Sequence, residues 1–266
     1  MAEGSADSRR SRQSFDRVAE DYDRYRRGCP PAVLADVLAR AAIQEGSRVL
    51  EIGCGTGQVS VPLARAGADL VAVELGPALA AIARKRLAAF PGTRIVVGAF
   101  EDVALAAGSF DAVVCANAFH WLDPGTRAAK CARALRRGGV LAIVHPHHVQ
   151  GGTESFFAES QAYYLKWGLS DDPAWRLPEA NGLPFMHPEL EDLGVFDSVV
   201  RRRHEACVEF TTQAHVGMLR TDSLVLTLDE PARQGFLSDI AHLIDARYGG
   251  SVRRSYLYEV IAAHRA

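Results

Sequence analysis

The sequence predicts an open, doubly wound α/β fold, and three observations carry that expectation. Between Ser47 and His145, five short apolar runs of strand character alternate with segments of helical rhythm. The first run, ending Val49-Leu50, passes directly into Glu51–Gly57, read as E-I-G-C-G-T-G, where three glycines allow a tight turn with no Cβ facing a ligand. The second run ends at Glu74, 21 residues after Gly53, where an acidic side chain in such a sheet meets the hydroxyls of a ribose.

Each element has its own signal. Ser47–Ile52 is the first strand, and a helix over Gln58–Ala66 stops at Gly67. Ala68–Val73 is the second strand, and Gly76-Pro77 punctuates it before a helix over Ala78–Phe90 rich in alanine, leucine and basic residues. Arg94–Val97 and Phe110–Cys115 are strands three and four, the latter with the near-continuous apolar character of a central parallel strand. A helix over Pro124–Leu135 is stopped by Gly138-Gly139, and Val140–His145 is strand five. Right-handed crossovers then place the strand ends on one edge, where a ligand sits.

Beyond His145 the alternation ends. Gly151–Pro188 carries Phe156, Phe157, Tyr163, Tyr164, Trp167, Trp175 and Phe185, too many large apolar side chains for a linker. It reads as helices and loops over the ligand edge. A short helix over Pro188–Leu193, a strand over Asp197–Phe210 and a small helix over Thr212–Arg220 follow. Glu230–Tyr248 is a long amphipathic helix with Phe236, Leu237, Ile240, Leu243 and Ile244 on one face, and Val252–Ala262 is a closing strand.

Composition excludes several classes of function. The 266 residues suffice for one large core with a modest cap, and 48% apolar and 23% charged residues are ordinary for a globular chain. A net charge of −2 gives no electrostatic reason for a nucleic acid partner; Arg9-Arg10 and Arg201-Arg202-Arg203 read as solvated edges. There is no bilayer-length apolar run and no secretory signal, so no membrane partner is expected. Residues 1–14 read as a flexible arm. Cys29, Cys54, Cys115, Cys131 and Cys207 are odd in number and lack paired spacing, which argues for a reducing cytoplasm and against zinc. No spacing decides between a monomer and a homo-oligomer.

A glycine-rich turn alone is compatible with several nucleotide ligands. A dinucleotide fingerprint begun at Gly53 and Gly55 would need glycine where the chain has Gln58, which counts against NAD and FAD, and no Gly-Lys-Ser/Thr follows to hold a nucleotide triphosphate. The turn instead resembles motif I, E/D-x-G-x-G-x-G, of the class I S-adenosylmethionine-dependent methyltransferases (type 11 methyltransferase domain). Asn117-Ala118-Phe119-His120-Trp121 after strand four resembles the small-molecule group related to trans-aconitate methyltransferase, and Phe15 to Arg26 resembles that family's F-x-x-x-A-x-x-Y-D-x-x-R lid helix. The resemblance spans Ser14 to Ala262. It implies a Rossmann-like, seven-stranded sheet whose last strand is antiparallel, under a helical cap. The implied division is lid helices over 15–45, a cofactor-binding core over 46–150, a substrate cap over 151–195, and a strand pair with inserted helices over 196–266.

The cofactor so implied is S-adenosyl-L-methionine. Its contacts would fall on Glu51, Gly53, Cys54, Gly55, Gly57, Glu74 and Leu75, on Phe100 and Glu101 beside the adenine, on Asn117, and on Tyr22 and Arg26 of the lid. By residue type, Cys54 is a small filler within the turn, and Phe100 either stacks on a purine or is a core side chain at a strand end. Ala99 stands where many members have aspartate. His120 is a candidate general base or a structural histidine against Trp121; His145 is a second candidate at the same edge. His145, His147 and His148 have no matched carboxylate or cysteine for a metal, and read as lining of a substrate pocket. Asp222 in Arg220-Thr221-Asp222-Ser223 departs from that group's aromatic residue. The resemblance implies direct in-line methyl transfer to a small molecule: a carboxylate acceptor would favour Arg26 or Arg220, a hydroxyl, phenol or carbon acid would need the base. A nicotinamide oxidoreductase and a non-catalytic cofactor-binding regulator are the competing readings.

Overall fold

The computed structural model describes residues 14–266; the arm expected over 1–14 lies, but for Ser14, outside the described residues. A seven-stranded sheet organises them. Its strands are β1 (Arg48–Ile52), β2 (Asp69–Glu74), β3 (Thr93–Val97), β4 (Phe110–Ala116), β5 (Leu135–Gly152), β6 (Phe196–Thr211) and β7 (Ser251–Arg265), in the spatial order β3-β2-β1-β4-β5-β7-β6. The first five pair in parallel, and β7 runs antiparallel between β5 and β6. This is the seven-stranded Rossmann-like arrangement expected, and its antiparallel end separates it from a dinucleotide fold, which would add another parallel unit.

Helices cover both faces because the central strands are apolar on both. On one face α2 (Pro31–Arg40), α3 (Ser60–Arg65) and α4 (Pro77–Arg86) bring Val33, Val37, Leu63 and Ala83 onto Val49, Leu70 and Val114. On the other, Ala128, Cys131 and Ala132 of α5 (Arg127–Ala134) pack on Val113, Leu141 and Ile143. Helix α1 (Ala19–Tyr25) lies across the carboxyl edge of the sheet.

Strand β5 runs well past the expected end at His145. Beyond Val144, which pairs with Ala116 at the end of β4, it has β7 alone as neighbour, from His145↔Glu259 to Gly152↔Arg254. Pro146 lacks an N–H to donate and is tolerated where one edge of a strand is unpaired. The three long strands β5, β7 and β6 thus rise above the sheet. On their upper ends sits a separate apolar cluster made with α6 (Glu154–Lys166), α8 (Thr212–Arg220) and α9 (Glu230–Tyr248), in which Phe156, Phe236, Ile240 and Ile244 are buried. The aromatic segment after α6 descends again through α7 (Glu189–Asp192). It is fastened to the sheet by Glu259, which is fully buried, accepts from Met186 N at 2.9 Å and lies 3.3 Å from both Arg201 and Arg203.

Candidate active site

The site forms where the carboxyl ends of β1, β2 and β4 face α1 and the elevated strands. Gly53 N donates to Val73 O at 2.8 Å, which clamps the glycine turn to the end of β2. Gly53 has φ +70°, and a Cβ there would lie 2.5 Å from the Cβ of Ala118, so the turn and the segment after β4 approach to a distance only glycine permits. Gly57, with φ +95°, faces Ala83 and Leu87 instead and serves the packing of α4.

Glu74 is buried, its two oxygens each accepting a backbone N–H at 2.8 Å, one from Gly55 and one from Gly76. A carboxylate offers about four lone-pair sites, so both oxygens keep room for a hydroxyl. Burial raises its pKa, against the two N–H donors, which lower it. Beneath the turn, Glu51 is 2% exposed and accepts from Ser60 Oγ at 2.5 Å. Burial pushes its carboxyl up to about 7, the Ser60 hydrogen bond opposes, and the charge of Glu74 adds to the rise.

Two cavities meet here. The smaller, about 100 Å³, is lined by Glu74, Leu75, Leu79, Gly98 and Phe100 and has the shape of a slot beside β2 and β3. The larger, about 710 Å³, extends from the turn under α1 toward β6 and β7. Phe15, Tyr22, Gly53, Gly55, Asn117 and Trp121 line both. Asn117 holds φ +60°, a left-handed conformation uncommon outside glycine, and its N–H donates to Val144 O at 2.9 Å.

Of the residues singled out in the sequence, Gly53, Gly55, Tyr22 and Asn117 come together at this junction, with Glu51, Cys54 and Arg26 in the larger cavity and Glu74, Leu75 and Phe100 in the smaller. Glu101 lines neither; its carboxylate accepts from Asp123 N at 3.3 Å. Arg26 is engaged by the protein itself: Nε donates to Thr221 Oγ1 and Nη2 to Thr221 O, both at 2.8 Å, which ties the lid to the end of α8. Arg220 is exposed and lines no cavity described here.

The histidines form a row of ring contacts. His120 faces the larger cavity, with its ring 5.1 Å from that of His145, which in turn lies 4.6 Å from His147. His145 stands behind His120 and does not line the cavity. Partial burial and the neighbouring His187 and Arg127 lower the pKa of His120, and burial with three histidine neighbours takes His145 down to about 3. Both rings are therefore neutral at neutral pH, able to accept a proton but weakly basic. Among the described residues, no group of three or more histidine, cysteine, aspartate or glutamate side chains is arranged to hold a metal ion. Nor is any helix among them long and apolar enough to cross a membrane.

Residues 50–143, from the middle of β1 through most of the apolar stretch of β5, match the family model described as Methyltransferase domain. This segment is a methyltransferase domain. Its cofactor is S-adenosyl-L-methionine, for which the paired cavities, the Cβ-free turn and the unsaturated lone pairs of Glu74 provide a fitting donor set. An uncharacterized methyltransferase of Mycobacterium tuberculosis is 38% identical over 131 residues, 49% of this chain and 51% of the relative. A ubiquinone biosynthesis O-methyltransferase of Xanthomonas campestris pv. campestris is 40% identical over 116 residues, 42% of this chain and 48% of the relative. The chain thus spans about half the length of the curated relatives it matches. Among solved structures, a provisionally named type II methyltransferase of Anaeromyxobacter dehalogenans shares the fold with a TM-score of 0.61 at 23% identity, covering 91% of this chain and 98% of the other. The Haemonchus contortus phosphoethanolamine N-methyltransferase 2, solved with S-adenosylhomocysteine, gives 0.53 at 16%, covering 94% and 57%.

The structure adds residues that sequence reasoning passed over. Arg254, Tyr256 and Tyr258 of β7 and Cys207 and Val208 of β6 line the larger cavity. Alternation along the closing strand carries this information, but it could not be assigned to a cavity before the height of β5 above the sheet was known.

Proposed function

We propose that the protein transfers a methyl group from S-adenosyl-L-methionine to a small organic molecule. The observation that carries this reading is the continuity of the two cavities through the glycine turn: the slot beside Glu74 opens, past Gly53 and Asn117, into about 710 Å³ of space, room for the rest of the cofactor and for a second molecule. When bound, S-adenosyl-L-methionine supplies a methyl group on a positively charged sulfur, ready for in-line displacement.

The chain's own part is to hold, orient and exclude water. Glu74, Leu75 and Phe100 would take the nucleoside end, with Phe100 offering an aromatic face. Tyr22, Gly53, Gly55 and Asn117 would take the amino-acid end, with Glu51 and Cys54 supporting the turn from below. Arg26, fastened to Thr221, keeps α1 over the site. A neutral His120 ring nitrogen would take the proton of a hydroxyl, phenol or carbon acid, with His145 edge-on behind it. The concave site and the net charge of −2 support a small-molecule acceptor rather than nucleic acid. The five free cysteines suit a reducing, cytoplasmic setting.

Calorimetric titration of the purified protein with S-adenosylhomocysteine, with NAD as control, tests this. Binding of the first alone is expected, and binding of NAD alone, or of neither by folded protein, would refute the reading.

A further inference from the structure

We propose that the acceptor is an organic anion, anchored by Arg254 and His148 and carrying an apolar group that fills a second, inner chamber of the cap. This deepens the methyltransferase reading by naming the class of its acceptor, and rests on that reading.

The inner chamber, about 260 Å³, lies between α6, α8 and α9 and is lined by Phe156, Phe157, Tyr164, Leu219 and Ile240. An apolar cavity of about 150 Å³ holds a benzene molecule, so this one admits a ring with a short chain. His148, Asp222 and Arg254 line both the chamber and the larger cavity, and so stand at their junction.

Arg254 is placed there by β7, opposite Gly152 of β5 and Val208 of β6. Its guanidinium sits 5.6 Å from the ring centres of both Phe157 and Tyr256. Among the described residues, no carboxylate lies within 4.0 Å of it. Its Nε is buried without a hydrogen-bond partner, a costly state for a charged donor. Arg254 Nη2 lies 3.0 Å from His148 Nδ1. A guanidinium only donates, so Nδ1 accepts and the histidine's proton is on Nε2, which is also buried and unpartnered. The junction therefore carries one full positive charge, and two N–H donors buried beside it are unused. Asp222, the acid on the same rim, is turned to others: it accepts from Leu224 N at 3.0 Å and lies 3.9 Å from Arg26.

A carboxylate or phosphate at the junction meets the unpaired charge of Arg254. Held in this way its oxygens are engaged, so the methylated atom is a different group of the same molecule, reaching into the larger cavity toward His120.

Three probes of one shape test this on the full chain saturated with S-adenosylhomocysteine: 4-phenylbutyrate, 4-phenylbutanamide and 4-phenylbutylamine, each titrated by calorimetry. The carboxylate is expected to bind at least about tenfold more tightly than the amide, and the amine least. Arg254→Gln is expected to abolish that preference while keeping the wild-type affinity for S-adenosylhomocysteine, and Leu219→Trp, which narrows the chamber, to weaken the carboxylate. Equal binding of carboxylate and amide by the wild type overturns the proposal. So does a lack of carboxylate binding at roughly millimolar concentration, or a loss of S-adenosylhomocysteine affinity in the folded Arg254→Gln protein, which would give the arginine to the cofactor. Failure of the wild type to bind S-adenosylhomocysteine defeats the methyltransferase reading instead, and the ratio of the three probes still judges the anchor.

Discussion

Replacing Glu51 by glutamine should make the protein more stable in weak base and leave it nearly unchanged in weak acid. The carboxyl is 2% exposed, and burial takes it from its ordinary 4.5 up to about 7. Between these values the folded protein keeps a proton that the unfolded chain gives up, so stability falls as pH rises through that window. At 1.36 kcal/mol per pH unit the loss is on the order of 3 kcal/mol. Glutamine has the same shape, keeps an oxygen to accept from Ser60 Oγ, and cannot ionise.

Urea unfolding of both proteins from pH 5 to pH 8 reads the effect directly. The difference between them should grow by about 3 kcal/mol across the range, or several degrees in Tm for a chain of this size. Histidines act in the opposite sense. His145, held down to about 3, and His148, held by burial and Arg254 down to about 2, cost stability as pH falls below their ordinary 6.5. Both proteins share them, so the difference curve isolates Glu51. Parallel curves would show that Glu51 ionises without difficulty where it lies, and would refute the reasoning.

Three other joints are probed by substitution. Gly53→Ala forces a side chain into φ +70° and to 2.5 Å from Ala118; a loss of about 1–2 kcal/mol from the backbone alone is expected in urea unfolding, with weaker S-adenosylhomocysteine binding. Adding Ala118→Gly should restore part of the stability, by removing the contact and leaving the backbone strain. Arg26→Ala removes both bonds to Thr221, and titration should show S-adenosylhomocysteine affinity about three- to tenfold weaker. Glu259→Ala leaves Arg201 and Arg203 without their buried partner; thermal and urea unfolding should show a loss on the order of 3 kcal/mol.

Legibility in the sequence followed the range of the interactions involved. The five parallel strands were readable because each is a short apolar run closed by a glycine, a proline, an asparagine or an acidic residue, and Gly53, Gly55 and Glu74 lie within one local unit. The face of α9 was readable for the same reason: Phe236, Leu237, Ile240, Leu243 and Ile244 are all buried, as their spacing requires. Strand β5 continues past the expected end at His145, and Pro146 is accommodated there because β4 offers no neighbour beyond Ala116. Glu101 and Arg26 had the right chemistry for ligand contacts. Their partners, Asp123 N at 22 residues' distance and Thr221 at 195, are products of the fold and leave no local trace. Arg254 was silent because one arginine in a strand looks like any other until the faces of three strands are superimposed.

The long strands explain how one fold can serve a common cofactor and an individual acceptor. The nucleoside slot is lined by the ends of the short parallel strands and the segments that follow them, by Leu79 of α4, and by Phe15 and Tyr22. What distinguishes the larger cavity comes from the parts of β5, β6 and β7 that rise above the short strands, and from helices resting on them. The two halves touch at α1. Tyr22 packs beside Gly55 of the turn, and Tyr25 lies so close to Gly217 of α8 that a Cβ there would be 2.5 Å from its ring. Arg26 then closes the contact on Thr221. A displacement of α8 by an occupant of the larger cavity is therefore felt by the helix that covers the turn, through packed rings and two hydrogen bonds. The cap and the glycine turn are thus joined through α1, by Tyr25 against Gly217 and by Arg26 on Thr221.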